Sequence, residues 1–582
     1  MRRRVLIAIT AALVTASLVP SSGGSAGAAS TFVFYGSGYG HGIGMSQWGA
    51  YGLAKMGWKD SRILRHFYRG ATVDRSGDVP TKIRVGLTDS RSRIHLTARG
   101  GRVRLWVGEP ADGEPIGTIR GRETWTVVPK DRSYLVLDDA GTSVGAQRWG
   151  SRAEALVVTY EEDDARVMIQ ESSNREYARG SVELNLHRCG GPGPCSIRAI
   201  VRLRLQHYLY GLGEVPSSWP MQSLRAQAIA GRTYAVFGMR RSGLRASCNC
   251  HIGNSASDQV YVGYSKESGT DGDRWVAAVD ATDRDVVTYR GDLIQAFYAA
   301  SDGGHSENVE DIWHGGNPAY AIPWLSGVCD PGESTPANPW TDWSRSFSAS
   351  SLSSRLAPYT GGVGTIRSFD DVRRGVSGRI VTAVAVGTGG RATVTGGELR
   401  AALGLPDGRV WINSNRNITG TIRERYDRLM CEPGLPTSRQ RSVPGGAQQF
   451  FEDGGLYRNG GRDVTVWLHG LIDAEYRRVD AAAGVLGLPL GGARAVGRAE
   501  GACPGCRRVD FARGRIYLKG SLGANALWGD VLSTYLDNGG PGGALGYPRT
   551  SVRPRAAGGF KTRFEHGRIV CLPSAGCTVT LS

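Results

Sequence analysis

Residues 208–236 constrain the fold of this chain more than any other stretch. They begin with a short apolar, glycine-broken segment that ends at one carboxylate, Glu214. Strong helix formers follow from about Pro220, and a proline near the start of such a run is typical of a first helical turn. Small and apolar residues then recur at helical spacing from Leu224 to Ala235. This pattern predicts a helix with one buried and one polar face, and it places Glu214 in the turn that enters the helix.

A second unusual segment carries glycines at positions 36, 38, 40, 42 and 44, with His41 among them. Glycine removes the side chain from a backbone that must bend sharply or approach another group closely. Residues 45–58 follow and predict a helix of small residues. Because the glycine spacing matches neither the P-loop nor the dinucleotide-binding fingerprint, the sequence does not predict phosphate binding here.

Segments of alternating apolar and polar residues, separated by turn residues, run from about 80 to 205 and predict a β-rich region. Beyond the predicted helix, residues 296–307 contain a Gly-Gly turn flanked by hydroxyls and a carboxylate. Trp313, Tyr320 and Trp324 follow. Core packing is the favoured interpretation for each ring, and stacking on sugar rings is the alternative.

The chain start predicts export. Residues 1–28 have a basic start, a short apolar run and a small-residue cleavage site, which together are typical of a signal peptide. The apolar run is short for a membrane span, and no later stretch approaches the length that a span needs. We therefore expect a secreted protein with no membrane span after signal cleavage. A length of 582 residues predicts two to four domains.

Ten cysteines fit an oxidising compartment, where they are candidates for disulfides. Four pairs are suggested by position along the chain: Cys189 with Cys195, Cys329 with Cys431, Cys503 with Cys506, and Cys571 with Cys577. Cys248 and Cys250 are left, either as a tight pair or as a chemically active group.

The net charge of +17 suggests an anionic partner, although it can also arise from composition alone. Export, scattered arginines and the lack of a nucleic-acid motif argue against nucleic acid. Outside the cell the natural partners are acidic polymers of the envelope and peptide carboxylates. The alternative, that arginine richness merely reflects a GC-rich genome, stays open.

Three motifs carry a resemblance to the stage II sporulation protein D and amidase-enhancer (SpoIID/LytB) family. The first is Glu214-Val215-Pro216 followed by the helix residues 226–235, Ala-Gln-Ala-Ile-Ala-Gly-Arg-Thr-Tyr-Ala. The second, in the glycine-rich segment, comprises Gly38, Gly40, His41, Gly42, Gly44, Met45, Ser46, Gln47, Gly49 and Ala50. The third comprises Ser301, Gly303, Gly304, Ser306 and Glu307. In the family the second motif usually closes the domain, whereas here it opens the chain, which suggests a permuted order with both ends close in space.

The resemblance implies an α+β fold: a β-rich SpoIID-like domain over residues 29–430 with a central catalytic helix. Within it lie the Gly-His-Gly motif (36–70), the β-rich part (80–205), the catalytic motif (208–240) and the Ser-x-Gly-Gly motif (296–325). Residues 431–582 contain three recurring Gly-Leu-Pro or Leu-Gly-x-Pro elements, each followed by a Phe-containing segment. They resemble LGFP repeats, small modules associated with actinobacterial cell-wall proteins, and the first copy is weak.

The family implies cleavage of peptidoglycan glycan strands by lytic transglycosylation, which leaves a 1,6-anhydro end. One carboxyl group suffices for this reaction, and Glu214 is the expected acid and base, with its pKa raised by burial. Asp258 and Glu307 are the candidates for a second carboxylate, which a hydrolase would need. The resemblance predicts a set of substrate-binding residues: His41, Gln47, Arg232, Tyr234, Ser301, Gly303, Gly304, Ser306 and Glu307.

Two alternatives remain: an amidase enhancer that binds glycan strands without cutting them and serves a cell-wall amidase, and a plain wall-binding protein. No cofactor is expected. Some family members bind zinc through two Cys and two His, and this chain has Cys248, Cys250 and His251 in the corresponding region, with Asp258 where a Cys usually lies. Three ligands within four consecutive residues do not easily surround one ion, so we predict no zinc and a local disulfide.

Overall fold

The structure is a computed structural model that describes residues 31–145, 149–151, 154–190 and 195–582. The predicted signal peptide, residues 1–28, lies outside the described residues. Among those described, no helix combines the length and the apolar character that crossing a membrane requires.

The glycine-rich segment bends between short elements. These are β1 (Thr31–Gly36), β2 (Met45–Ser46), α1 (Gln47–Lys55), α2 (Asp60–Phe67) and β3 (Thr72–Arg75). Gly38, Gly40, Gly42 and Gly44 all adopt positive φ, between 69° and 129°, which explains why glycine recurs at alternate positions. Ser46 caps α1, because its hydroxyl accepts the N–H of Gly49 at 3.0 Å. The helix predicted over 45–58 is therefore confirmed in its centre and begins after this cap.

The β-rich region is confirmed and forms two packed sheets. Its strands are β4 (Lys82–Arg91), β5 (Ile94–Arg99), β6 (Val103–Val107), β7 (Glu114–Ile119), β8 (Thr124–Lys130), β9 (Ser133–Leu137), β10 (Leu156–Tyr160), β11 (Arg166–Ile169), β12 (Arg175–Tyr177), β13 (Ser181–His187) and β14 (Ser196–Arg204). One sheet has the order β4-β14-β13-β10-β6-β7 and the other β12-β11-β5-β8-β9. Their alternating apolar residues share one core, as the period-2 pattern requires.

The predicted helix is present as α4 (Met221–Ser242), which follows the short α3 (Leu205–Tyr210). The prediction of a single buried face is wrong, however. Leu224 packs into the core of the β-rich region, while Ile229 packs into a second core formed with α1 and α2. Because α4 lies between two cores, even its polar residues Gln227 and Thr233 are buried. The helix is therefore central to the domain.

The rest of the first domain folds around α4. Its elements are β15 (Ile252–Gly253), α5 (Ser265–Ser268), α6 (Gly272–Asp280), β16 (Asp285–Tyr289), β17 (Asp292–Leu293), β18 (Tyr298–Ala299), α7 (Val309–Trp313), β19 (Trp343–Ser348), α8 (Ala349–Thr360), β20 (Ile366–Arg374), β21 (Ile380–Gly387), β22 (Gly390–Thr395), α9 (Gly396–Leu403) and β23 (Val410–Ile412). Strand β1 pairs antiparallel with β19 and β23, and β2 pairs parallel with β18. The start of the described chain is thus built into the late part of this domain.

Three similar units follow, each with a helix and a four-stranded antiparallel sheet. Their elements are α10 (Gly420–Arg428), β24 (Arg441–Val443), β25 (Gly446–Phe451), β26 (Gly454–Asn459), β27 (Val464–Leu468), α11 (Gly470–Arg478), β28 (Arg494–Ala495), β29 (Arg507–Phe511), β30 (Gly514–Lys519), β31 (Gly523–Trp528), α12 (Gly529–Asp537), β32 (Arg553–Pro554), β33 (Phe560–Phe564), β34 (Gly567–Leu572) and β35 (Gly576–Leu581). The sheets contain β24–β27, β28–β31 and β32–β35.

The helices of these units are equivalent. Each contains a tyrosine whose hydroxyl donates to a glycine carbonyl of the next Leu-Gly-x-Pro element: Tyr426 to Gly434 at 3.1 Å, Tyr476 to Gly487 at 2.7 Å, and Tyr535 to Gly546 at 2.7 Å. The array therefore begins with α10 at Gly420, earlier than the predicted boundary at 431. The sequence pattern missed this helix because the first unit has Pro433 in place of the initial leucine.

The ten cysteines, all among the described residues, form five disulfides with the predicted pairing: Cys189–Cys195, Cys248–Cys250, Cys329–Cys431, Cys503–Cys506 and Cys571–Cys577. The Cys329–Cys431 disulfide joins the first domain to the residues that follow α10. The Cys248–Cys250 disulfide confirms the local pair.

Candidate functional site

A cleft of about 470 Å³ opens beside the start of α4. It is formed by the glycine-rich segment, the turn before α4, the loop after β15 and strand β18. Its lining residues are Tyr39, Gly40, His41, Gln47, Glu214, Tyr234, Ala256, Ser257, Asp258, Phe297, Tyr298, Ala299, Ala300, Trp313 and Arg400. Aromatic rings on one wall and polar side chains at the base make it suited to a sugar or a similar amphipathic ligand.

Glu214 lies at the base of this cleft, in the turn between α3 and α4. Its Oε1 accepts the backbone N–H of Val260 at 2.6 Å and the hydroxyl of Tyr298 at 3.1 Å. Burial raises the pKa of Glu214 above its ordinary value, and these two hydrogen bonds oppose the increase because they favour the ionised form. The result is a carboxyl group that can release and regain a proton closer to neutral pH than an exposed glutamate can.

Tyr298 is oriented by a chain of buried hydrogen bonds. The Gln259 amide Nε2 donates to the Tyr298 oxygen at 2.8 Å, so the phenolic hydrogen is left to donate to Glu214. The Tyr208 hydroxyl in turn donates to the Gln259 Oε1 at 2.9 Å. The Gln259 Nε2 also donates to the Gly231 carbonyl at 3.2 Å, so both of its hydrogens are used. The direction of the last hydrogen bond is therefore set by residues that lie behind the cleft.

Lys266 lies on the other side of this glutamate. Its ammonium group donates to the backbone carbonyl of Val215. Burial lowers the pKa of Lys266 to about 8, while the negative charge of Glu214 opposes the decrease. Lys266 thus adds a positive charge that favours the ionised form of Glu214, and its own charge is sensitive to pH just above neutral.

His41 is neutral in this cleft at neutral pH. Burial lowers its pKa to about 4, and the guanidinium groups of Arg400 and Arg379 contribute in the same direction. The His41 Nδ1 accepts the backbone N–H of Ile43 at 3.0 Å, which assigns the proton to Nε2. The ring lies 5.5 Å from that of Trp313, so His41 presents a neutral polar edge beside an aromatic surface.

Gln47 and Tyr234 complete the predicted residues that reach the cleft. The Gln47 side chain donates to Gln227 on α4 at 3.3 Å and also hydrogen-bonds Glu214. The Tyr234 ring makes edge contacts with those of Phe297 and Tyr298. The structure therefore brings together Glu214, His41, Gln47 and Tyr234, which come from two motifs far apart in the sequence.

Asp258 also lines the cleft, but its carboxylate is engaged. Both of its oxygens face the guanidinium of Arg245, with distances of 3.2 and 2.8 Å, and Oδ2 also accepts the N–H of Gly253 at 2.9 Å. Such a bidentate pair holds the carboxylate in place and satisfies most of its acceptor capacity.

The structure does not bring Arg232 to the cleft, contrary to expectation. This arginine is only 1% exposed, and its guanidinium donates to the backbone carbonyls of Asp285 at 3.1 Å and Val279 at 3.3 Å. Because these contacts join α4 to β16 and the end of α6, Arg232 has a packing role.

The Ser-x-Gly-Gly residues also lie outside the cleft lining. Ser306 hydrogen-bonds the backbone of Val328, and the Glu307 carboxylate accepts from the hydroxyl and N–H of Ser377. Gly303 and Gly304 adopt φ of 70° and 104° with Ser37 and Arg423 closely packed against them. The sequence predicts substrate contacts from this motif. In the structure its buried residues instead pack between the glycine-rich segment and the region after β18.

Ser301 belongs to a buried carboxylate cluster formed by Asp302, Asp330 and Glu333, whose oxygens lie within 4.8 Å of one another. The hydroxyls of Ser301 and Ser46 both donate to Glu333. Burial and the neighbouring negative charges raise the pKa of Asp302 and Asp330 well above their ordinary values. Because Ser46 belongs to the second motif and Ser301 to the third, their hydrogen bonds to Glu333 connect the two motifs.

In the region where some family members bind zinc, the candidate ligand atoms of Cys248, Cys250 and His251 have other partners. Cys248 and Cys250 share a disulfide, and the His251 Nδ1 accepts the backbone N–H of Arg84 at 3.0 Å. The prediction that this region binds no zinc remains a prediction, and these contacts support it.

Sequence reasoning missed Tyr298, Lys266 and Arg400. Tyr298 lies three residues before Ser301 of the third motif, and that proximity was the available signal. Lys266 and Arg400 lie in helical segments without any distinguishing pattern. Only the structure brings Lys266 to the carbonyl of Val215, next to Glu214, and Arg400 to the cleft lining.

A glutamate with a raised pKa near the start of a central helix, in a cleft lined by aromatic rings, is suited to acid–base chemistry on a glycan or to glycan binding. Comparison with known proteins gives the family of this region. Residues 195–289, which include Glu214, α4 and Lys266, match the family model described as SpoIID, Stage II sporulation protein. Residues 486–543 match the LGFP repeat. The resemblance inferred from the motifs is thus confirmed: the chain contains a SpoIID domain followed by LGFP repeats.

Three relatives match part of this chain. An uncharacterized protein of Brachyspira hyodysenteriae is 30% identical over 162 residues, which are 27% of this chain and 40% of that protein. The amidase enhancer of Bacillus subtilis is 29% identical over 147 residues, 25% of this chain and 17% of the enhancer. Stage II sporulation protein D of Bacillus subtilis is 26% identical over 237 residues, 39% of this chain and 65% of that protein. The chain spans less than two thirds of the length of each of them.

Proposed function

We propose that this protein is an exported peptidoglycan-remodelling enzyme, a lytic transglycosylase that cleaves the bond between N-acetylmuramic acid and N-acetylglucosamine. The observation that carries the proposal is Glu214 itself, a buried carboxyl with a raised pKa at the base of an aromatic-walled cleft. The relatives named amidase enhancer and stage II sporulation protein D, together with the LGFP repeats, support a role at the cell wall.

One carboxyl group can perform the whole reaction. In its acid form Glu214 protonates the glycosidic oxygen as the bond from that oxygen to C1 of the muramic acid breaks. The resulting carboxylate accepts the proton of the C6 hydroxyl on the same sugar, and O6 bonds to C1. The products are a strand end with a free hydroxyl and a 1,6-anhydro end, and no water is consumed. The Tyr298 and Val260 hydrogen bonds stabilise the carboxylate between the two steps.

The surroundings of Asp258 favour this mechanism over hydrolysis. A hydrolase of the usual kind needs a second carboxylate that activates water or forms a covalent bond. Asp258 is the second carboxylate that lines the cleft, and it is paired with Arg245 through both oxygens. Because the Asp258 oxygens are occupied by Arg245 and the N–H of Gly253, they are not placed to bind and activate a water molecule, and the single-carboxyl route is the better match.

The second candidate function is an amidase enhancer that binds glycan strands in this cleft and presents them to a cell-wall amidase. The observation that favours it is the likeness to a relative of that name. His41, Gln47 and Tyr234 would then bind sugar hydroxyls and N-acetyl groups, as they would in the enzyme, and Glu214 would serve as one more hydrogen-bonding group.

The experiment is digestion of peptidoglycan glycan strands, with and without stem peptides, followed by mass spectrometry. Glu214→Gln keeps the size of the side chain and removes the acid. Glu114→Gln, at an exposed position of β7, is the matched control. We expect anhydro-ended fragments from the wild type and from the control, and none from Glu214→Gln. Products that carry an added water would show a hydrolase instead. Absent cleavage with retained strand binding would favour the enhancer.

A further inference from the structure

The three units of the C-terminal array are not equivalent where each helix meets the following sheet. Helices α10 and α11 both begin at a glycine with φ near 60°, Gly420 and Gly470, so their residues can be compared at equal distances from it. Five residues on, α10 carries Arg425 and α11 carries Glu475. Each of these side chains faces the space between its helix and the adjacent sheet.

At the second junction, where α11 meets the sheet β28–β31, side chains fill this space. The Glu475 carboxylate accepts two hydrogen bonds from the Arg478 guanidinium, both at 2.7 Å, and one from the Ser551 hydroxyl. Ser551 is the third residue after Pro548 of its Leu-Gly-x-Pro element. Glu475 is buried there with both oxygens satisfied.

At the first junction, where α10 meets the sheet β24–β27, the same space is open. The third residue after Pro489 is Gly492, which has no side chain to occupy it. A cavity of about 520 Å³ results, and Arg425, Trp467 and Gly492 are among its lining residues. The Arg425 Nε is buried and has no acceptor among the described residues, and Arg425 forms no ion pair with any of them.

The remaining charges around the cavity compensate one another. Arg428 pairs with Glu424 at 3.3 Å, and Arg458 pairs with Asp463. Arg425 is therefore the one lining cation of this cavity that lacks a described counter-charge. A guanidinium without a partner offers a planar fork of donors that matches the two oxygens of a carboxylate or a phosphate.

Trp467 provides the second element of a binding site. Its ring borders the cavity, and its indole Nε1 also has no acceptor among the described residues. In the next unit the equivalent position, one residue before the buried Leu527, is Ala526, so this ring is specific to the first junction. An indole beside a free guanidinium is suited to a sugar ring that carries an acidic group.

We propose that the junction of α10 and β27 binds an acidic sugar, with its carboxylate or phosphate on Arg425 and its ring against Trp467. The site is separate from the Glu214 cleft. Its assignment to wall glycans rests on the proposed function, whereas the oxyanion chemistry rests on the cavity alone. Binding here would hold the array on an acidic strand while the first domain acts on a neighbouring segment.

Titration calorimetry on the full chain tests the proposal with three soluble probes: N-acetylmuramic acid, N-acetylglucosamine 6-phosphate and uncharged N-acetylglucosamine. We expect at least one acidic probe to bind and the uncharged probe to bind at least tenfold more weakly. The preferred acidic probe separates a carboxylate source from a phosphate source. Equal binding of all three probes, or of none, would overturn the proposal.

Two variants locate the binding. Arg425→Gln removes the charge, and Gly492→Ser reproduces the residue that fills the second junction at a position where an added Cβ meets no atom within 4 Å. We expect each to weaken binding at least tenfold, while the exposed Arg441→Gln in the same unit binds as the wild type does. Unchanged binding by Arg425→Gln would exclude the site. All three variants should cleave soluble glycan strands at the wild-type rate, so failure of this proposal is distinguishable from failure of the enzymatic one.

Discussion

At the scale of single residues, the cleft depends on a balance around one carboxyl group. Burial favours the neutral acid of Glu214, whereas Val260, Tyr298 and Lys266 favour the carboxylate. A group that must act first as an acid and then as a base needs both forms to be accessible at working pH. The opposed contributions supply that condition without a second carboxylate.

The Tyr298→Phe variant tests this balance. It removes a donor that favours the carboxylate, so the pKa of Glu214 should increase and its acid form should persist to higher pH. Since a hydrogen bond to a charged group contributes roughly 1.5–3 kcal/mol, we expect the alkaline limb of the pH–rate profile for strand cleavage to move up by about one unit.

The maximum cleavage rate should decrease in the same variant, because the carboxylate formed in the first step loses a stabilising contact. Thermal unfolding serves as the control for folding. An alkaline limb that stays in place, or that moves to lower pH, would contradict the assignment of Glu214 as the titrating acid.

At the scale of elements, α4 is unusual because it is enclosed by two cores. Small residues along it allow the close approach of neighbouring chain segments. A Cβ on Gly231 would lie 2.7 Å from a methyl of Leu212 and 3.4 Å from the Gln259 amide, whereas a Cβ on Gly238 would meet nothing within 4 Å. Close packing therefore requires a glycine at position 231, whereas the space at position 238 would accept a larger side chain.

Substitution of each glycine by alanine should change the free energy of unfolding in opposite directions. Alanine favours a helix over glycine by about 1 kcal/mol, so Gly238→Ala should stabilise the domain by up to about that amount. Gly231→Ala must displace the buried Leu212 side chain, and overpacking of this kind costs typically about 1–3 kcal/mol.

Chemical denaturation of both variants measures the difference. The Gly231 carbonyl accepts a hydrogen bond from Gln259 at 3.2 Å, and Gln259 orients Tyr298. A backbone shift at Gly231 should therefore also reduce strand cleavage, whereas Gly238→Ala should leave cleavage unchanged. If both alanines stabilise the protein equally, α4 is packed less tightly than the contacts indicate.

At the scale of the whole molecule, contacts between distant parts of the chain hold the first domain together. Strand β1 pairs with β19 and β23, and the carboxylate cluster joins the second motif to the third. The Cys329–Cys431 disulfide adds a covalent link across 102 residues. The Cys571–Cys577 disulfide, in contrast, spans 6 residues within one hairpin.

Replacement of each pair by serines tests the importance of these links. In the chain-entropy account, a disulfide restricts the unfolded chain more when it closes a longer loop. We expect loss of Cys329–Cys431 to destabilise the first domain by about 4 kcal/mol and loss of Cys571–Cys577 to destabilise the last unit by about 2 kcal/mol. Scanning calorimetry, which resolves the transitions of separate units, provides the measurement, and equal effects would contradict the loop-length argument.

The sequence by itself determined the elements and the identity of the catalytic candidate. The two-residue period of the strands, the helical run after Pro220 and the glycines at positive φ all depend on neighbours along the chain, so local pattern sufficed to predict them. The position of Glu214 at the entry to α4 is of the same kind. Sequence proximity also predicted the four disulfides that span six residues or fewer, whereas Cys329–Cys431 spans 102 residues.

Only the tertiary structure decided which side chains surround Glu214. Tyr298, its hydrogen-bond donor, lies 84 residues further along the chain, and Arg232, on the helix next to Glu214, faces away from the cleft. Which side chains of a helix face a cleft depends on the cores that pack around the helix, and α4 packs against two cores. Such choices result from packing between segments that are remote in sequence, and no local propensity encodes them.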